Sequence, residues 1–312
     1  MKLDVAGVSD KGRKKDKNED YYGVYTPQDT DIKLFKEGAL LVVADGLGGH
    51  IAGNVASKLA VSMIKDILQE SFPEENSDEI DKSAPSPEEF YFNLLREAFR
   101  KANESIYKTN KDLVKGARPM GTTALALILL PGKAYLANVG DSRAYHIRNG
   151  EILERTEDHS WVDEQVKLGL MSREDAQKDS RRHMLTRSIG THSEIEVDVY
   201  KWFPVSGDIL LLCTDGLVNM VSDDRILEIV NEGGTAQYIA QRLVDEANAN
   251  GGKDNITVIV AIVDPNPLKQ RLFKLKQWWD KRGYTILKIL ALLVYGFIAG
   301  SIGFFLRDFL KF

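Results

Sequence analysis

A short apolar run that ends at an acidic residue constrains this chain more than any other feature. Residues 39–44 are all apolar, and Asp45 follows them together with three glycines, Gly46, Gly48 and Gly49. This pattern predicts a buried strand that ends in a tight bend. A carboxylate at the mouth of a buried strand is costly unless a positive charge lies beside it. Asp45 and the bare backbone of Gly46 are therefore candidate ligands of a hard cation, although a solvated turn would show the same pattern.

Composition excludes several classes of protein. The chain has 312 residues and a net charge of −5, which gives no overall reason to expect nucleic-acid binding. It contains one cysteine, Cys213, so a disulfide framework is impossible and a reducing compartment fits. Cys213 ends the apolar run 209–213, which is typical of a small buried side chain and not of a catalytic thiol.

The C-terminal region differs from the rest of the chain. Residues 286–306 carry a single charge, Lys288, and are long enough to span a bilayer, which takes about 20 residues. A buried core helix is the alternative, but it would normally show a polar face. We predict a transmembrane helix over 284–307, a basic juxtamembrane linker over 265–283 and a short tail over 308–312. The basic linker predicts that the part before it lies in the cytoplasm and that the protein is a single-pass membrane protein.

Residues 1–264 are predicted to form one catalytic domain with an α+β fold. Helical periodicity occurs in two separate pairs of segments, 53–69 with 90–108 and 223–230 with 236–249. Between and around these pairs, apolar runs separated by turn residues predict strands at 3–8, 21–25, 39–44, 122–130, 133–139, 145–147, 152–154, 195–203, 208–213 and 256–263. Hairpins and paired helices, without regular strand–helix alternation, predict an antiparallel β-sandwich with helix pairs on both sides.

Five acidic residues share one local pattern. The five residues are Asp20, Asp45, Asp141, Asp215 and Asp254. Four of the five lie at a strand end next to glycine or asparagine. If these strand ends converge, they form an oxygen-rich site that suits Mg²⁺ or Mn²⁺ and not Zn²⁺. Two such ions close together could share a hydroxide that attacks phosphorus. No P-loop and no Ser-His-Asp order is present.

Eight motifs in order make the chain recognisable. They are Asn18-Glu19-Asp20, Val43-Ala44-Asp45-Gly46-Leu47-Gly48-Gly49-His50, Met120-Gly121-Thr122-Thr123, Val139-Gly140-Asp141-Ser142-Arg143-Ala144-Tyr145, Asp158-His159-Ser160, Leu185-Thr186-Arg187-Ser188-Ile189-Gly190, Leu211-Leu212-Cys213-Thr214-Asp215-Gly216-Leu217 and Gly252-Lys253-Asp254-Asn255-Ile256-Thr257. With them, the chain resembles the bacterial form of the metal-dependent protein phosphatases, the PPM or type 2C serine/threonine phosphatases, over about residues 3–263.

The resemblance implies a role for each acidic residue. Asp45 would bridge two metal ions, with the Gly46 carbonyl on one of them, and Asp215 and Asp254 would complete the other. Glu19 and Asp20 would hold this pair directly or through water. Asp141, with Asp215, would serve a third and weaker metal site. A hydroxide bridging the two ions would attack phosphoserine or phosphothreonine on a protein substrate. Residues 156–185 match the family's flap segment, which varies and influences substrate choice.

The chain departs from the family pattern at the phosphate-binding position. The family usually has arginine three residues before the Asn-Glu-Asp motif, where this chain has Lys15. Lysine attracts phosphate as a point charge but lacks the bidentate fork, and Arg13 is the alternative. Animal members have a proposed general-acid histidine two residues after the bridging aspartate, where this chain has Leu47; we assign no such role to the nearby His50.

The predicted function is therefore that of a membrane-anchored, metal-dependent serine/threonine protein phosphatase that uses two Mg²⁺ or Mn²⁺ ions and opposes protein kinases in signalling. Two alternatives remain on the same fold: a non-catalytic phosphoprotein-binding relative and a small-molecule phosphohydrolase. The intact acids Asp45, Asp215 and Asp254 favour the enzyme.

Overall fold

The computed structural model describes residues 1–28, 37–48, 51–71, 86–113, 119–265 and 268. Residues 1–265 form one compact unit. Its strands are β1 Leu3–Asp10, β2 Tyr21–Tyr25, β3 Ala39–Ala44, β4 Gly46–Leu47, β5 Gly121–Thr122, β6 Ala124–Leu130, β7 Lys133–Val139, β8 Arg143–Arg148, β9 Glu151–Arg155, β10 Asp198–Trp202, β11 Ile209–Cys213 and β12 Ile256–Val263. Its helices are α1 Ile51–Ser71, α2 Pro87–Leu113, α3 Trp161–Lys167, α4 Arg173–Lys178, α5 Asp215–Val218, α6 Asp223–Asn231 and α7 Ala236–Ala249.

Two five-stranded antiparallel sheets form the centre of the fold. One has the order β1-β12-β11-β8-β9, and the other has the order β10-β7-β6-β3-β2. Strands β4 and β5 make a separate two-stranded sheet. The predicted α+β sandwich is confirmed, and β1 is an edge strand that pairs only with β12 among the described strands.

The buried side chains fall into three layers, because successive residues of a strand face opposite sides of the sheet. In β12, Ile259 and Ala261 pack between the two sheets, whereas Val258 and Val260 pack against α6 and α7. In β3, Leu41 and Val43 face the other sheet while the alternate residues pack against α1 and α2. Strands that are buried on both faces read as continuous apolar runs, which explains why the sequence pattern identified them.

The antiparallel pairing brings the predicted acidic residues to one end of the sandwich. Strand β3 runs towards Asp45, and its last residue pairs with Tyr21, the residue after Asp20. Strand β11 runs towards Asp215, and its last residue pairs within β12, which begins just after Asp254. Strand β7 runs towards Asp141 beside β6. The loops at this end, together with the start of α5, therefore carry all five acids.

Some local predictions differ from the structure. The predicted strand over 195–203 is shorter in the structure, where β10 covers Asp198–Trp202 and Ile195 and Val197 pack against the α1–α2 core before it begins. The predicted bend at Gly46 contains β4, which pairs with β5. Helix α4, in the polar flap segment, was not predicted; Ser172 caps its N-terminus by accepting from the Asp175 amide.

The predicted linker and transmembrane helix lie outside the described residues, apart from Pro265 and Leu268. Within the described ranges, no helix has both the length and the apolar character that crossing a bilayer requires.

Candidate active site

The backbone around Asp45 is held by hydroxyl and amide groups of two consecutive residues, Thr122 and Thr123. The Asp45 amide donates to Thr123 Oγ1 at 2.9 Å, and the Asp45 carbonyl accepts from the Thr123 amide at 2.9 Å and from Thr122 Oγ1 at 2.8 Å. Thr123 Oγ1 lies 2.8 Å from Ser142 Oγ, next to Asp141. One residue, Thr123, therefore links the backbone of Asp45 to the loop that carries Asp141.

Asp20 is the most enclosed acid of the cluster. The residue is 4% exposed, and its Oδ2 accepts from Thr257 Oγ1 at 2.7 Å and from Thr214 Oγ1 at 2.9 Å. Its other oxygen, Oδ1, is buried without a hydrogen-bond partner. Burial raises the pKa of Asp20 to about 7; the charges of Asp215 and Asp254 act in the same direction, and the two hydroxyl donors oppose them.

Burial and acidic neighbours disfavour the charged forms of Asp45, Asp141 and Asp215. Burial raises the pKa of Asp45 well above its usual value, and the charges of Asp20, Asp215, Asp141 and Asp254 raise it further. Burial and then the charge of Asp215 likewise raise the pKa of Asp141. The pKa of Asp215 is also raised, by burial and then by the charge of Asp254. Nearby carboxylates in a poorly solvated site behave in this way unless cations neutralise them.

Gly46 and Glu19 meet at the first turn of α1. A Cβ on Gly53 would lie 2.6 Å from Glu19 Oε2 and 2.8 Å from the Gly46 carbonyl oxygen. A Cβ on Gly46 would lie 2.3 Å from the Gly53 carbonyl oxygen. Two bare glycines therefore allow a side-chain oxygen and a main-chain oxygen to approach the same point, as the predicted pairing of Glu19 and Gly46 at one ion requires.

Lys15 lies beside the cluster and contacts one of its members. Its Nζ is 2.6 Å from Asp254 Oδ1. Burial disfavours the charged lysine, but its hydrogen bond to Asp254 and the nearby carboxylates of Asp45 and Glu19 outweigh this effect and raise its pKa. Arg13 is fixed through its backbone, because its amide donates to the Gly252 carbonyl at 2.7 Å. The structure thus places the loop that carries both basic residues against the Asp254 loop.

Asn255 fastens these two loops together. Its Nδ2 donates to the carbonyls of Lys11 and Lys17, each at 2.9 Å, and its Oδ1 accepts from the Glu19 amide at 2.8 Å. Sequence reasoning did not identify this role, nor that of the hydroxyl residues Thr123, Thr214 and Thr257, although all of them lie inside the recognised motifs.

The donor atoms fit a hard divalent cation. Asp20 Oδ1 and Asp215 Oδ1 are buried oxygens without partners, and the glycine cradle adds a carboxylate and a carbonyl oxygen. In the part of the chain that the structure describes, no three acidic, histidine or cysteine side chains are already arranged as a ligand group for one ion. The assignment of individual ligands therefore stays a prediction for Glu19, Asp20, Asp45, Gly46, Asp141, Asp215 and Asp254.

Comparison with known proteins identifies relatives along most of the chain. The family model described as protein phosphatase 2C matches residues 13–246. The chain is 36% identical over 254 residues to the serine/threonine phosphatase stp of Listeria monocytogenes, covering 81% of this chain and 92% of that protein. It is 34% identical over 264 residues to the protein phosphatase PhpP of Streptococcus pneumoniae, covering 85% and 98%.

Solved structures show the same fold. The serine/threonine phosphatase of S. agalactiae matches with a TM-score of 0.72 and 31% identity, over 84% of this chain and 100% of that one. The catalytic domain of the serine/threonine protein phosphatase PstP, solved in complex with two manganese ions, matches with a TM-score of 0.66 and 32% identity, over 84% and 99%.

Proposed function

The chain belongs to the protein phosphatase 2C family and is a serine/threonine protein phosphatase, and we propose that its carboxylate cluster carries the reaction with two divalent ions. The observation that carries this proposal is the concentration of poorly solvated carboxyl groups at one end of the sandwich. Asp45 has its pKa raised by burial and by its acidic neighbours, and Asp20 and Asp215 each keep one buried oxygen unpaired. Cations would satisfy both features.

We propose Mg²⁺ or Mn²⁺ as the ions, with a third and weaker site at Asp141. Phosphatases of this family are metal-dependent, and the PstP neighbour binds two manganese ions. Carboxylate and carbonyl oxygens are the donors that these ions prefer. When bound, such ions supply a water that is nucleophilic at neutral pH and neutralise charge on the phosphoryl group.

The protein's own residues would bind and orient the reactants. Asp45, Asp215 and Asp254 hold the ions, and Asp45 can do so from a rigid position because both of its backbone groups are hydrogen-bonded. Lys15 binds the substrate phosphate, and Arg13 is the alternative for this role. Lysine has three donor hydrogens, so Lys15 can keep its contact with Asp254 while it donates to a phosphate oxygen.

Replacing Asp45 tests the proposal. The variant Asp45→Asn removes the charged ligand and should abolish Mn²⁺-dependent hydrolysis of a phosphothreonine peptide. Asp66→Asn is a suitable control, because Asp66 is an exposed residue of α1. Full activity in Asp45→Asn would show that the cluster is not the active site.

We also propose that residues 284–307 anchor the enzyme in the cell membrane, with the phosphatase domain in the cytoplasm. The apolar run 286–306 and the basic residues before it support this proposal. A chain ending at Asp264 should stay active and leave the membrane fraction, whereas the full chain should remain there. A truncated chain that still sediments with membranes would contradict the anchor.

A further inference from the structure

His159 is a buried histidine that has no role in the proposed chemistry. The residue is 4% exposed, and it lies where the flap segment begins. Two hydrogen bonds join it to one residue, Gly140: the His159 amide donates to the Gly140 carbonyl at 2.9 Å, and the Gly140 amide donates to His159 Nδ1 at 3.1 Å. Since Gly140 directly precedes Asp141, these two bonds fix the backbone position from which the Asp141 carboxylate extends.

The hydrogen bond from the Gly140 amide determines the tautomer of the ring. Because Gly140 donates to Nδ1, that nitrogen carries no proton, and the proton of the neutral ring is on Nε2. Nε2 lies 3.2 Å from Asp198 Oδ2, and Arg187 Nη1 donates to the other oxygen of Asp198 at 2.7 Å. Asp198 therefore orients the ring, and Arg187 orients Asp198, in the way that carboxylates orient functional histidines.

Gly140 has little freedom to move. Its φ is +115°, in the region that favours glycine, and a Cβ there would lie 2.5 Å from Thr123 Cγ2. Thr123 is the residue that holds the backbone of Asp45. A shift of Gly140 would therefore move Asp141 and press on the support of Asp45.

His159 also closes the flap segment. The Thr186 amide donates to the His159 carbonyl at 2.9 Å, and the Trp161 amide donates to the Met184 carbonyl at 2.8 Å. The two ends of the segment thus meet at His159. One residue joins the base of the flap segment to the loop that carries Asp141.

We propose that His159 is a positioning residue, which fixes the Asp141 carboxylate through Gly140 and so sets the affinity of the weakest divalent-ion site. This inference rests on the proposed metal-dependent function. Its mechanism is specific: the acceptor at Nδ1 matters for the ion, whereas the donor at Nε2 matters for orienting the ring.

Two amide substitutions separate these atoms. In His159→Asn, the side-chain oxygen can take the place of Nδ1 and accept from Gly140. In His159→Gln, the amide can reach towards Asp198 but cannot replace the short Nδ1 acceptor. A matched control is His146, a second buried histidine, which is 1% exposed and whose Nε2 lies 2.8 Å from Asp208 Oδ2. His146 lies inside β8, away from the acidic loops.

The experiment measures binding of Mn²⁺ alone, by the paramagnetic resonance signal of free Mn²⁺, together with melting temperature and phosphatase activity. His159→Gln should weaken the weakest Mn²⁺ site about tenfold or remove it, and His159→Asn should stay within about threefold of the natural protein. His146→Gln should lower the melting temperature without changing Mn²⁺ binding.

Equal Mn²⁺ binding by the two His159 variants, or tighter binding by His159→Gln, would overturn the inference. The same loss in His146→Gln would also overturn it, because the effect would then follow from general destabilisation. Failure of the natural protein to bind Mn²⁺ would instead overturn the proposed function, so the two failures are distinguishable.

Discussion

Replacing Gly53 by alanine tests the geometry of the site at a residue that is not a metal ligand. The new Cβ would lie 2.8 Å from the Gly46 carbonyl oxygen and 2.6 Å from Glu19 Oε2, which is 0.6 Å and 0.8 Å shorter than the 3.4 Å at which ordinary contact begins. Glu19 can swing away, but the Gly46 carbonyl belongs to the backbone of β4, which pairs with β5. The substitution should therefore displace both predicted ligands from their common point.

The substitution should change two separate quantities, the stability of α1 and the affinity for Mn²⁺. Alanine is favoured over glycine in a helix by about 1 kcal/mol, which by itself would stabilise α1. Displacing groups that orient metal ligands typically weakens metal binding by about 10- to 100-fold. Gly53→Ala should thus bind Mn²⁺ at least about tenfold more weakly, which corresponds to about 1.4 kcal/mol, and should not show the expected gain in helix stability.

The assay combines titration calorimetry with Mn²⁺ and thermal unfolding in the presence of a chelator. Ser62→Ala is the control, because Ser62 is exposed on the same helix and its change to alanine alters helix propensity alone. Unchanged Mn²⁺ affinity in Gly53→Ala, together with a raised melting temperature, would refute the idea that Glu19 and the Gly46 carbonyl must meet at Gly53.

Two further predictions concern charge. Without divalent ions, the pKa of Asp20 is about 7 in the folded state, against an ordinary value of 3.8 in the unfolded chain. Between these two pH values Asp20 is therefore protonated in the folded protein and ionised in the unfolded chain. Its contribution to the free energy of unfolding should favour the folded state below about pH 4 and disappear as the pH rises towards 7. Thermal melting in chelator should therefore show Asp20→Asn gaining stability relative to the natural protein from pH 5 to pH 8. A difference in melting temperature that stays constant over this range would contradict the predicted direction. Lys15→Arg should lower KM for a phosphothreonine peptide at similar kcat, since guanidinium can hold two phosphate oxygens; an unchanged KM would show that Lys15 does not touch the phosphate.

The sequence predicted the sandwich and the meeting of its acidic loops because both depend on local signals. Runs such as 39–44 are apolar on both faces, and an acid next to glycine marks where a strand leaves the core. Antiparallel pairing then brings those ends together, as the pairing of β3 with β2 shows.

The supports of the acids could not be predicted in the same way. Asp20 is held by Thr214 and Thr257, which lie 194 and 237 residues further along the chain, and their contacts depend on the register of β11 against β12. The close approach of Gly46 to Gly53 likewise depends on where α1 starts relative to β4. A sequence shows that a glycine is present but does not show which distant atom requires it.

Strand β12 has a mechanical consequence if the chain is tethered at its C-terminal end. Its first residue follows the loop of Asp254, and its last residue precedes the proposed tether, so tension in the tether would enter the domain through this strand. Strand β1 pairs with all eight residues of β12 on one side, and β11 pairs with it on the other. Interstrand hydrogen bonds lie perpendicular to the strands, so the component of such a force along β12 would shear two ladders at once instead of opening one bond at a time. The far end of the strand would thus shield the Asp254 loop from tension in the tether.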